Sequence, residues 1–170
     1  RHCRLVAGAF GDGSVVPLPS LVAGTLTWPW PHAHRVLHEW RAWTAETDGI
    51  VRSGVRLVRP PGRPAAVAID VALAGEPWGA GRALGALRRL EPEIDSIRLV
   101  APAATALPAL RVPPGTMPVV SALRLRALPA EAVDALAAAA ADAALLSVAL
   151  ERVGGGYGVA ALGAGRGVDD

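Results

Sequence analysis

The sequence predicts an α+β domain: an antiparallel sheet with helices packed on one face, built as a ferredoxin-like β-α-β-β-α-β core plus a further strand-helix-strand. Three observations carry this. Alternating runs rich in branched or apolar residues recur at Val22–Trp28, Val51–Arg59, Ala65–Leu73 and Ile94–Val100, as half-buried strands require. Two segments, His32–Glu46 and Pro77–Leu90, place apolar side chains at helical spacing. The order of these six segments is that of a split β-α-β unit.

Each element has its own signal. Pro29 and Pro31 stop the first strand, and Pro31 suits the first turn of a helix. In that helix Val36, Leu37, Trp40, Trp43 and Thr44 share a face, while Arg35, Glu39, Arg41 and Glu46 lie mostly off it. Asp48-Gly49 supplies turn chemistry at its end. In the second strand Val51, Val55 and Leu57 alternate with arginines. In the third, beyond the Pro60–Pro64 turn, Val67, Ile69 and Val71 share a face. The second helix should bury Ala80, Leu84 and Leu87 and expose Arg82, Arg88 and Arg89; each of its glycines weakens it by roughly 1 kcal/mol relative to Ala. The five prolines within 101–118 predict a loop. Val119–Leu125 reads as a strand, Pro129–Ala143 as an Ala-rich helix with Glu131 in its first turn, and Leu145–Val153 as a last strand. Three parts are expected: an irregular segment over 1–20, the α+β domain over 21–156, and a flexible Gly-rich tail over 157–170. No internal repeat is evident, although two β-α-β passages have similar lengths.

Composition narrows the function classes. With 170 residues, 52% of them hydrophobic, the chain has enough apolar material for a core. Its basic residues are all arginine, and Lys, Asn and Gln are absent. That bias reads as the coding habit of a GC-rich genome and carries no functional information. The pI near 9.5 accompanies a formal charge of only +2, and the arginines are spread along the chain without a dense basic face, so no nucleic-acid partner is expected. The apolar stretches Leu99–Leu110 and Ala135–Leu150 are interrupted and shorter than the ~20 residues of a membrane span, so no membrane partner is expected either. The lone cysteine, Cys3, excludes an intrachain disulfide and suits a cytoplasmic location.

Candidate chemistry is sparse. His34 and His38 stand four apart on the first helix, a spacing that can share a metal, but no third ligand is evident nearby because Glu39 points to a neighbouring face. A solvated helix surface is the favoured reading, and no metal is expected. The Gly154–Gly158 stretch lacks the Lys-Ser/Thr of a phosphate loop, and no serine sits in a nucleophile elbow. Cys3 lies between His2 and Arg4, but a terminal thiol without a second cysteine reads as incidental. Trp40 and Trp43 read as core anchors of the helix; Trp28 and Trp30, at a strand end, read either as core or as pocket lining. No catalytic residue is assigned. For a ligand, strand position and polarity single out Arg52, Arg56, Asp70 and Tyr157.

VAGTLTWPW (Val22–Trp30), LHEWRAWT (Leu37–Thr44), VRLVRPP (Val55–Pro61), VAIDVALAGE (Val67–Glu76), ALRRLEPEIDSI (Ala86–Ile97), LPAEAVDAL (Leu128–Leu136) and LLSVALERVGGG (Leu145–Gly156), taken together and in order, resemble the substrate-binding domain of berberine-bridge-type FAD-linked oxidases, the vanillyl-alcohol-oxidase-like oxidoreductases. VAGTLTWPW (Val22–Trp30) with LHEWRAWT (Leu37–Thr44) is similar to the entry into that domain. VRLVRPP (Val55–Pro61) and VAIDVALAGE (Val67–Glu76) are similar to its next two strands. ALRRLEPEIDSI (Ala86–Ile97) looks like the family's P-L-R-x-L-x-P-x-x-D segment, and LPAEAVDAL (Leu128–Leu136) with LLSVALERVGGG (Leu145–Gly156) like its closing helix and strand. The likeness covers roughly residues 21 to 156. It implies a sheet laid over the flavin ring of a separate FAD-binding domain, and oxidation of a small organic molecule by hydride transfer to FAD. It also departs from the family: no glycine-rich flavin-attachment motif surrounds a His or Cys. Where some relatives place a base after the Gly pair, this chain has Tyr157, Gly158 and Val159. The expectation is therefore that the chain alone holds no cofactor and is inactive without a flavin domain. The alternative is a stand-alone or degenerate module that binds a small molecule or associates with itself through the sheet.

Overall fold

The structure, a computed structural model, describes residues 21–47, 50–59, 63–74, 77–100, 118–141, 145–153 and 156–164. The expected irregular opening with Cys3, the Asp48-Gly49 turn and the proline-rich segment at 101–117 lie outside the described residues. In chain order the elements are β1 (Leu21–Pro29), a 3-10 turn (Trp30–His32), α1 (Ala33–Glu46), β2 (Ile50–Val58), β3 (Ala66–Ala74), α2 (Pro77–Ala83), α3 (Gly85–Arg88), β4 (Ile94–Asp95), β5 (Arg98–Val100), β6 (Pro118–Leu125), α4 (Ala130–Ala139), β7 (Leu145–Val153) and β8 (Gly156–Ala164). The strands form one antiparallel sheet in the order β4-β1-β3-β2-β7-β8-β6, with β5 also paired to β1. The α+β class and its helix-backed antiparallel sheet are as the sequence predicts.

Strand alternation sorts the two faces. Val67, Ile69, Val71 and Leu73 of β3 join Leu26 and Trp28 of β1, Val55 and Leu57 of β2 and Val148 and Leu150 of β7 in one buried cluster. Val36, Leu37, Trp40 and Trp43 of α1, Ala80 of α2, Leu87 of α3 and Val133 of α4 complete it, so the described helices all cover this face. Three buried indoles tie the layers together, each burying a large ring while its N–H finds an acceptor. Trp28 Nε1 donates to Leu90 O at 2.9 Å, Trp40 Nε1 to Ser53 Oγ at 2.9 Å and Trp43 Nε1 to Ala83 O at 2.7 Å. Trp28 thus belongs to the core. Trp30 is half-buried under the Arg59 guanidinium, 4.3 Å from its ring centroid.

Four features differ from the sequence expectation. The segment 77–90 divides into α2 and α3 at Leu84, although Leu84 N still donates to Ala80 O and Arg88 N to Leu84 O; its glycines give the helix little intrinsic rigidity. The single strand expected over Ile94–Val100 becomes β4 and β5, because the chain crosses Gly24 so closely at Ser96–Ile97 that a Cβ there would lie 2.6 Å from Ile97 Cα. Ser96 bridges the gap, its Oγ accepting from Thr25 N and its N–H donating to Thr25 O. Arg88 Nε donates to Asp95 Oδ2 at 2.8 Å behind β4. Burial acts to raise the Asp95 pKa, but the bonds from Arg88 and the Ile97 N–H outweigh it and hold the carboxyl below its usual range.

Third, within the flexible tail expected over 157–170, residues up to Ala164 form β8, laddered on both sides by β7 and β6; the rest of that stretch, 165–170, lies outside the described residues. Glycine content suggested mobility, but the alternating Tyr157, Val159 and Ala161 gain a complete set of backbone partners between two strands. The fourth is a repeat in the order of elements. β1-α1-β2-β3 orders its strands β1-β3-β2, and β6-α4-β7-β8 orders its own β6-β8-β7. The two units meet through antiparallel β2–β7 pairing, which relates them by an approximate two-fold axis through the sheet.

Two substitutions test this packing. Trp28→Ala should cost about 3–5 kcal/mol in urea unfolding, from the cavity and the loss of the bond to Leu90. Gly24→Ala should cost up to about 3 kcal/mol, because the new methyl meets backbone that cannot rotate aside, and the amide-exchange loss should centre on 94–100.

Candidate functional site: the helix-free sheet face

The face away from α1–α4 carries a polar row set by strand register. Thr25 pairs with Asp70, Asp70 with Gly54, Gly54 with Glu151, Glu151 with Gly158, and Gly158 with Arg124. Arg52 and Arg56 flank Gly54 on the same face, two residues away on each side. Around them stand small residues: Ala68 opposite Arg56, Ala72 opposite Arg52, and Ala149 across the seam.

Asp70 is the centre of this row. Its side chain is 3% exposed, yet both oxygens are bonded: Arg56 Nε donates to Oδ2 at 2.5 Å, Arg56 Nη2 to Oδ1 at 3.0 Å and Thr25 Oγ1 to Oδ1 at 2.7 Å. Two parallel N–H donors on one carboxylate fix the guanidinium in orientation as well as position. Arg52 Nη2 donates to Glu151 Oε1 at 2.8 Å, bridging β2 and β7. Gly54 leaves room for this, since a Cβ there would stand 3.3 Å from Glu151 Cγ and 3.0 Å from Leu150 O. Ser147 belongs to the same face; its buried hydroxyl has no partner among the described residues.

The structure therefore brings Arg52, Arg56 and Asp70 together and leaves Tyr157 apart. Tyr157 lies on the helix-covered face, its ring edge-on to Trp40 at 5.9 Å and its hydroxyl 3.3 Å from Thr44 Oγ1. Sequence reasoning did not single out Thr25 or Glu151. The parity of each strand was available to find them, but the register that brings them beside Asp70 and Arg52 was not.

A second cluster lies on the helix side. His34 and His38 of α1 both place Nε2 on Asp134 Oδ1 of α4, at 2.9 and 2.7 Å. Bonds from His38 and then His34 hold the exposed Asp134 carboxyl below its usual pKa. The third group that the sequence left unfound near the histidine pair is this aspartate, 96 residues beyond His38.

No protein-family model and no curated protein matches the sequence. Among solved structures the chain is similar to 6-hydroxy-D-nicotine oxidase from Arthrobacter nicotinovorans, with a TM-score of 0.64 and 20% identity over 89% of this chain. The likeness is one of fold. The match takes in 39% of that oxidase's chain, so this chain spans about two fifths of its length. Among the described residues no helix is long and apolar enough to cross a membrane.

Because Asp70 is desolvated, removing its partner should be costly. Arg56→Met should destabilise the chain by about 3 kcal/mol, whereas Arg56→Met with Asp70→Leu should recover most of that loss; a double-mutant cycle in urea checks both.

Proposed function

We propose that the chain is the substrate-binding part of an FAD-linked oxidoreductase that oxidises a small organic molecule. The helix-free face carries the proposal: the bidentate Arg56–Asp70 pair and the Arg52–Glu151 bridge, set among Gly and Ala, hold two half-buried guanidinium groups side by side on one face, where they can donate to a polar ligand. The order of family-like phrases and the shared fold with part of an oxidase support it. The described residues fit the role of a cover and not that of a holder. They offer no glycine-rich loop at a long helix for a pyrophosphate, so a flavin would be held by another domain, in the same polypeptide or in a partner.

Bound flavin would supply the hydride-accepting chemistry. This chain's residues would orient the substrate through Arg52 and Arg56 and exclude water from beneath the sheet. No catalytic base is assigned to it. Asp70 and Glu151, the carboxylates of the polar row, are both engaged by arginine, and Tyr157 faces the core. That engagement favours a second reading, a binding or self-association module without redox activity of its own.

Reconstitution with the flavin-binding part and FAD separates the two. On the first reading the chain alone loses FAD on gel filtration, the reconstituted protein keeps it, and a panel of alcohols, sugars and amines contains one that bleaches the flavin. Arg52→Ala should then raise KM for that substrate about tenfold, the loss of one charge-assisted contact, with unchanged flavin content. Stoichiometric FAD retention by the chain alone, or no bleaching by any substrate, overturns it. A dimer by light scattering with a ligand-induced thermal shift, and no bleaching, establishes the second.

A further inference from the structure

We infer that His34, His38 and Asp134 form a site for a divalent transition-metal cation, of which Zn2+ is the type, clipping α1 to α4. This is independent of any flavin chemistry. Two imidazoles and a carboxylate, one each from successive turns of α1 and one from the facing helix, are the donor set that Zn2+ and its neighbours accept. The three ligand atoms all lie within 4.8 Å of one another. A tetrahedral ion with bonds of about 2.0–2.2 Å spaces its ligands by about 3.3–3.5 Å, so small rotations of three surface side chains suffice. The rings are already convergent, with centroids 4.5 Å apart and planes tilted by 48°.

Access is open. The side chains of His34, His38 and Asp134 are 68%, 30% and 53% exposed, so an ion enters from solvent and keeps water at its remaining position. No other charged side chain bonds to any of the three among the described residues; the two imidazoles are the only groups on Asp134. At present both histidines serve one carboxylate oxygen. The two Nε2 atoms and the carboxylate oxygen thus already converge on one place; to take up the ion each imidazole adopts the neutral tautomer with its proton on Nδ1, which frees the Nε2 lone pair. The ion would replace two hydrogen bonds by three coordinate bonds and fasten one β-α-β-β unit to the other at the helix layer, opposite the β2–β7 seam.

Titration of metal-free full chain with ZnCl2 in a calorimeter tests the site. One Zn2+ per chain with a dissociation constant in the micromolar range is expected. A hundredfold excess of Zn2+ over that constant should raise Tm by about 5–10 °C. His34→Ala, at a largely exposed position that cannot unfold the chain, should weaken binding at least tenfold, and Asp134→Asn likewise. His32→Ala and Cys3→Ser should leave it unchanged. Co2+ in place of Zn2+ should give the visible absorption of a low-coordinate histidine site, lost in His34→Ala. No heat or Tm change up to 100-fold the protein concentration overturns the inference. Binding that survives His34→Ala with Asp134→Asn, or that disappears in Cys3→Ser, overturns it too.

Discussion

Antiparallel pairing of β2 with β7 joins two β-α-β-β units, neither of which closes its own outer strand, into a single sheet. Val55 opposite Leu150 and Leu57 opposite Val148 place apolar side chains on the helix face on both sides of the seam, so the core runs through without a break. A slip of one residue here would carry Arg52 and Arg56 into that core and Val55 into solvent. The penalty for burying two guanidinium groups without partners holds the register. From the register follow the Arg52–Glu151 bridge, the continuous polar row and the meeting of α1 with α4 that brings Asp134 to the histidines.

The Arg56–Asp70 pair is not explained by stability alone. Withdrawing a carboxylate from water is expensive, and apolar replacements of similar shape commonly match or exceed a buried pair in stability. Leu or Val at position 70 would suit β3, whose other face is already aliphatic. A charged pair at the middle of a sheet face, among alanines and glycine, does something an apolar pair cannot: it fixes a guanidinium in one orientation by two bonds to a single carboxylate, and so holds the N–H groups that remain in a set direction.

Much of the architecture is legible in the sequence because it is local. The apolar face of α1, the alternation of β2 and β3 and the stop at Pro29 are set by neighbours within a few residues, and each element forms where those signals place it. Non-local matters are not legible. Gly24 gives no sign in sequence that Ser96–Ile97 will lie across it, so the sequence predicts one strand where two form. The glycines of 156–164 resemble a tail until β6 and β7 supply partners on both sides. The duplication is invisible because only the order of elements repeats; the residues that fill α1 and α4 do not.

The candidate sites divide by the same rule. Arg52, Arg56 and Asp70 fall on one face because strand parity is a local property: positions 52, 54 and 56 share a side, and the β2–β3 pairing, closed through a short connection, then fixes Asp70 against Gly54. Tyr157 stands just past the last strand that the sequence predicts, Leu145–Val153, so its polarity is legible but the face it will take is not. Once β8 forms, pairing with Arg152 turns its ring toward Trp40. Asp134 shows the opposite case. Its distance from His38 in sequence hides it completely, yet the two-fold relation of the units makes the meeting of α1 and α4 a consequence of topology. Functional groups that depend on parity can be read from a single chain; those that depend on which helix lies beside which require the sheet order first.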